Sequence, residues 1–406
     1  MCVLIVGYAM PSMADVKIGG IIFADAWYEF QDKENSGTGD DAARFNVQIP
    51  NITRLYGKWT SDEKNVGMWI ELGLDANGTY EREVVTRHAC GWWQINPLLR
   101  ITAGQSVTGF SPLLPQQMLG TESTHVNSVG GGFGDVYSGR VPQVRFTLTP
   151  NENVQIDVAF SDPNITSAGF KDVIDTGVKD KDGKTVVSEQ EGYTYNAWGA
   201  KDSSLPRIDI SAIIKAGPLT LYPGVMFANK TFALKADAME KADDSINTYI
   251  ISMGAKADFG PICIKGEFNY GQNWGNQDLL AIGLENKDFG GAMPIGDDKI
   301  EDTKLYGGWV DAGITLGAAE IHTIMGIQNY ANDMEPDEAD DDFDQTVMMF
   351  GFSIPVKVAK SFTIRPELMY YDLGKRENYT NIDKGTISDV ERGSYIIAGT
   401  QFQITF

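Results

Sequence analysis

Past its first fourteen residues this 406-residue chain has no apolar run of the ~18 residues that a membrane-spanning helix needs. Positive charge is scarce too, with 33 Lys and Arg against 55 Asp and Glu and a net charge of −22. A phosphate backbone is bound by a basic stripe, so nucleic acid is excluded as a partner. Of the three histidines, His88, His125 and His322, none stands at a recognisable triad spacing. Nucleophilic catalysis needs a hydroxyl or carboxyl group beside such a base, so the chain is not read as an enzyme. Cysteine is nearly absent. Cys2 precedes an apolar run and is no lipidation site. Cys90 and Cys263 lie in strand patterns far apart, which allows a disulfide without implying one. No cofactor or metal motif is present. Asp180-Lys-Asp-Gly183 echoes a calcium loop but lacks the later ligands and the closing Glu.

What the chain does have is alternation. In Tyr395–Phe406 the residues Ile396, Ala398, Phe402, Ile404 and Phe406 share one face, and Tyr395, Gln401, Gln403 and Thr405 the other. A strand changes face at every residue, so this one is apolar outside and mostly polar inside. An aromatic residue closing a long amphipathic strand is expected of an outer-membrane barrel. The pattern recurs from Lys17 to Phe30, with Ile18, Ile22, Tyr28 and Phe30 set against Lys17, Asp25 and Glu29. Strand windows fall at 16–31, 43–60, 64–77, 81–96, 98–108, 139–149, 152–162, 204–216, 218–232, 246–259, 261–274, 303–315, 317–331, 345–358, 360–374 and 391–406. Their number is even, as an antiparallel, up-and-down transmembrane β-barrel of about 16 strands requires. Short turns such as Phe259-Gly-Pro261 alternate with long polar loops.

Residues 1–14 read as a signal-peptide remnant, with an apolar run from Cys2 to Met10 before a small-residue cleavage site at Ala14. That leaves 15–406 as a single barrel domain. Acid gathers in the loop-like stretches 32–41, 171–191, 235–244, 297–302 and 333–344. These are either simple solvated loops or sites where surface divalent cations bridge to lipopolysaccharide.

One connection, 106–138, is long and barely charged, with Glu122 and Asp135 as its only acids, and it carries Phe110, Leu113, Leu114, Phe133 and Gly130-Gly-Gly132. Long structureless loops are usually functional, and a barrel of this size has a wide lumen. The loop is therefore expected to fold into the lumen and constrict it. Fixed charge at a narrow point selects ions by sign, and arginine offers a permanent two-pronged fit to carboxylates. The predicted pore-lining set is Arg54, Arg100, Glu122, Asp135, Arg140, Arg145, Arg207 and Arg365. Of these, Arg100, Arg140 and Arg145 bracket the loop in sequence. His88 is ambiguous by alternation: it faces outward if Arg87 faces the lumen, and a shifted register changes that assignment. The expected function is a water-filled porin passing small hydrophilic solutes and favouring small organic anions. The alternatives are a structural or adhesive barrel with little conductance, and an outer-membrane barrel enzyme.

Several motifs resemble a known family. Ala14-Asp-Val-Lys-Ile-Gly-Gly20 with Ala24-Asp25, Thr53-Arg-Leu55, Arg87-His-Ala-x-Gly91, Ala103-Gly-Gln105 and Gly139-Arg-Val-Pro-Gln-Val-Arg-Phe146 look like the DcaP-like trimeric outer-membrane porins. The resemblance covers roughly residues 14–149. It implies a homotrimer of sixteen-stranded barrels in the Gram-negative outer membrane, with a lumen-folded loop, passing small organic anions such as dicarboxylates. The chain departs from the pattern in two places. It has no helical extension before its first strand, and Ser106-Val-Thr-Gly follows Gln105 where an aromatic-rich stretch would be expected.

Overall fold

A computed structural model describes residues 15–36, 39–50, 52–77, 82–117, 119, 133–137, 139–163, 172–179, 185–190, 198–200, 205–234, 245–277, 279, 290–295, 299–332, 343–381 and 386–406. Sixteen antiparallel strands close into a barrel. In chain order they are β1 (Asp15–Gln31), β2 (Ala42–Ile49 and Arg54–Thr60), β3 (Val66–Asn77), β4 (Arg82–Asn96), β5 (Leu99–Ser106), β6 (Val141–Asn151), β7 (Val154–Ser161) and β8 (Arg207–Ala216). They continue as β9 (Leu219–Leu234), β10 (Ser245–Phe259), β11 (Ile262–Gln272), β12 (Thr303–Leu316), β13 (Ala319–Asn332), β14 (Phe343–Ser353 and Val356–Ala359), β15 (Phe362–Asp372) and β16 (Ser394–Thr405). Each window read from the sequence holds one strand.

Two strands are interrupted, each at a proline. Pro50 breaks β2 and Pro355 breaks β14, because proline has no N–H to give the ladder. The turns 217–218, 260–261 and 317–318 each open on a glycine with φ between 61° and 66°. Pro218 and Pro261 hold the second position at negative φ. The type II′ geometry is thereby selected, and its twist matches the flanking strands. Strands alternate in direction, so these short turns share one end of the barrel and the long connections share the other.

Closure runs through β1 and β16, with Ala24 opposite Phe402 and Tyr28 opposite Ala398. Gly20 and Phe406 exchange both backbone hydrogen bonds at 3.1 Å, which completes the seam. A closed sheet leaves no edge in hydrocarbon, where an unpaired N–H or C=O costs several kcal/mol.

Burial is inverted relative to a water-soluble protein. Asp25 and Asp209 are 1% exposed and Gln401 is fully buried, whereas Ile251, Met325 and Phe268 are more than half exposed. The polar groups face inward and the apolar side chains face out, as a lipid-embedded barrel demands. The apolar core lies inside the barrel. It forms where Phe110, Leu113, Leu119, Phe133 and Val136 of the connection after β5 meet inward side chains of β9 to β16. The acidic stretches 235–244 and 333–342 lie outside the described residues, as do residues 1–14, Glu122 and His125.

Candidate functional site: a constricted lumen

The connection after β5 folds into the lumen against the wall formed by β11 to β15. Phe133 packs edge-on against Tyr371 with ring centroids 5.3 Å apart. The backbone at Phe133 and Gly134 lies directly on the wall. A methyl group added at Gly326 would collide with the Phe133 carbonyl, and one added at Gly134 would collide with the Gly308 backbone. Gly134 has φ +108°, a conformation that only glycine adopts without strain.

The loop also occupies three wall carboxylates. Ser111 donates its hydroxyl to Glu267 Oε1 at 2.6 Å. Gln116 N–H donates to Asp311 Oδ2 at 2.8 Å, and Leu119 N–H donates to Glu367 Oε2 at 2.8 Å. Lys265 Nζ donates to the Leu114 carbonyl at 2.6 Å, and Asn269 donates to that of Gly134 at 2.8 Å. These three carboxylates are therefore covered by the loop.

The opposite arc, β2 to β7, is basic. Arg54 and Arg87 both reach Glu71, at 3.8 and 2.9 Å. Arg145 lies 3.7 Å from Asp157 and donates Nη1–H to the Val107 carbonyl at 2.7 Å, which ties the start of the loop to this wall. Arg140 donates to His88 Nε2 at 3.1 Å. The charges of Arg140, Arg87, Lys58 and Arg54 all act on His88. Lys58 Nζ sits 4.0 Å above the centroid of Trp69, and no described carboxylate lies within ion-pair distance of it. Trp69 also stacks on His88 at 3.6 Å. Among the described side chains of this arc, Arg54, Lys58, Arg87, Arg140 and Arg145 gather around Glu71 and Asp157.

The orientation of His88, which alternation left open, is settled by a shift of register. The β3–β4 register shifts between Glu71 and Leu72, so that Glu71 pairs with His88 and Leu72 with Thr86. The extra residue is a β-bulge, which brings consecutive side chains to one face. Arg87 and His88 are consequently both inward and buried. A bulge leaves no mark in a two-residue hydrophobic period, so alternation could turn only one of Arg87 and His88 inward.

The other expected residues fall in different places. Arg54, Arg140 and Arg145 come together in the basic arc. Arg100 is exposed beside the turn at 97–98 and donates to Gln94 at 2.9 Å, away from the loop. Arg207 is buried and binds Asp209 through two 2.9 Å hydrogen bonds, so its charge is spent locally. Arg365 lies on the other arc and donates to Gln401 at 2.6 Å. Asp135, on the loop itself, is fully buried between the loop and the wall. Cys90 and Cys263 are both free thiols.

The barrel is similar over nearly its whole length to solved outer-membrane porins. It matches the outer membrane channel DcaP of Acinetobacter baumannii at TM-score 0.61 and 17% identity, covering 98% of this chain and 99% of that one. An anion-selective porin from Comamonas acidovorans matches at TM-score 0.55 and 13% identity, covering 97% and 100%. OmpF of Salmonella typhi, in complex with daunomycin, matches at TM-score 0.54 and 10% identity, covering 96% and 97%. No protein-family profile and no curated protein matches the sequence. The fold is that of the Gram-negative outer-membrane porins.

Proposed function

We propose that the chain is an outer-membrane porin, a water-filled channel for passive diffusion that favours small organic anions. The observation that carries this is the asymmetry across the constriction. One side is basic, and on the other the inserted loop covers Glu267, Asp311 and Glu367. A permeant anion therefore meets guanidinium and ammonium groups on one side and a largely neutral loop on the other, despite the chain's net charge of −22. The anion-selective neighbour from Comamonas acidovorans supports the same direction. Assembly as a homotrimer, and bridging of the acidic loops to lipopolysaccharide by divalent cations, belong to this proposal.

An enzymatic role is disfavoured by the histidine geometry. His88 Nδ1 lies 3.2 Å from Ser106 Oγ, but His88 Nε2 accepts from Arg140. The ring proton then sits on Nδ1 and points at the serine oxygen, which is the reverse of what a general base needs. Planar-bilayer recording tests the proposal: ohmic single-channel steps with a reversal potential on the anion side are expected. A non-conducting protein would favour the adhesive or structural alternative.

A further inference from the structure

The seat of the inserted loop contains a pair of groups that an anion pathway does not use. Asp135 on the loop and Glu267 on β11 meet around Ser111, whose hydroxyl lies 3.4 Å from Asp135 Oδ1 and 2.6 Å from Glu267 Oε1. Those inner oxygens also accept from Tyr137 N–H at 3.1 Å and from Asn269 at 2.9 Å respectively. Asp135 is fully buried and Glu267 is 5% exposed. Their outer oxygens, Asp135 Oδ2 and Glu267 Oε2, meet no donor among the described residues.

No cation among the described residues pairs with either carboxyl group. On β11 and β12 the other inward charges are Lys265 and Asp311, which pair with each other at 3.5 Å, while Lys304 is exposed. On β13, His322 and Glu320 engage Asp311 and each other. On β10 the facing groups are Ser252 and Gly254, both uncharged. No cluster of three or more His, Cys, Asp or Glu able to hold a metal ion exists among the described residues. Two buried carboxyl groups side by side cannot both carry charge.

We propose that Asp135 and Glu267 share one proton, that this proton latches the loop to the barrel wall, and that pore size and selectivity therefore change with pH. Burial and the neighbouring Glu267 together push Asp135 well above the ordinary carboxylate range. Docking thus favours the protonated form. It is fully supported below the ordinary carboxylate value of about 4 and weakens as pH rises through the raised one. A lifted loop widens the lumen. It also uncovers Glu267, Asp311 and Glu367 opposite the arginines, so anion preference falls as conductance rises.

The latch rests on the porin proposal, and the two can be told apart. The membrane-inserted protein is recorded from about pH 5 to about pH 9, beside Asp135→Asn and Glu267→Gln, each of which supplies a permanently uncharged partner. The native protein is expected to show a reversible rise in conductance and an at least twofold fall in anion/cation ratio toward high pH. Both variants are expected to hold the low-pH values throughout. A native channel that conducts without responding to pH overturns the latch alone, as do variants that titrate like the native protein. Absence of conductance at every pH overturns the porin proposal and the latch with it.

Discussion

Neutralising the basic arc should shift ion selectivity by a calculable amount. The variants are Arg54→Gln, Arg140→Gln and Arg145→Gln, singly and together. A permeant ion passing about 6 Å from one such charge in water feels ~0.7 kcal/mol, since two unit charges interact by 332/(εr). At about 0.1 M salt the Debye length of ~10 Å reduces this to roughly 0.4 kcal/mol. Removing the charge raises the anion's energy and lowers the cation's by the same amount. The permeability ratio therefore moves by about 0.8 kcal/mol, or roughly fourfold per arginine. Three of the described cations of this arc are removed together, so the triple variant should lose the anion preference. The assay is reversal potential across a salt gradient in planar bilayers. Arg100→Gln is the internal control. Its side chain is exposed beside the turn at 97–98 and bonded to Gln94, so its effect should be smaller. An unchanged ratio in the triple variant, or an equal shift in the control, refutes the assignment.

Gly326→Ala places a methyl group where the Phe133 carbonyl now sits. The loop's apolar anchors each contribute about 1.5–3 kcal/mol, so the loop should shift inward by ~1 Å rather than detach. Single-channel conductance should drop while anion preference persists. Arg207→Ala strips a buried carboxylate, Asp209, of its bidentate partner and should cost about 3–5 kcal/mol, read as a lower unfolding temperature in detergent. Met325→Arg sets a charge midway along β13 on the outward face, where Met325 is 52% exposed. Chemical unfolding from lipid vesicles should show a loss of about 2–4 kcal/mol, an effect absent for the same change at a turn.

Most of the barrel was legible because membrane strands obey a local rule. Polar and apolar residues must alternate wherever one face meets lipid and the other water, and the sixteen windows match the strands to within a few residues. Pro50 and Pro355 could have been foreseen as breaks on the same grounds. Long-range contacts were not legible. Arg100, Arg207 and Arg365 are alike to a period-two count, yet one sits at a turn, one is tied to Asp209 and one lies behind the loop. Arg87 and His88 face inward together only through a bulge set by the pairing of β3 with β4.

The sequence alone determined the membrane barrel, its strand number, the pairing of its closing strand with its first, and the loop that enters it. Each follows from alternation, turn residues and the scarcity of charge in one connection. Only the tertiary structure decided the sign of the constriction. That sign depends on which wall carboxylates the loop's N–H and hydroxyl groups reach, and those partners are as much as 248 residues apart in the chain. No local pattern encodes a hydrogen bond across that separation, so an acidic protein can present a basic pore.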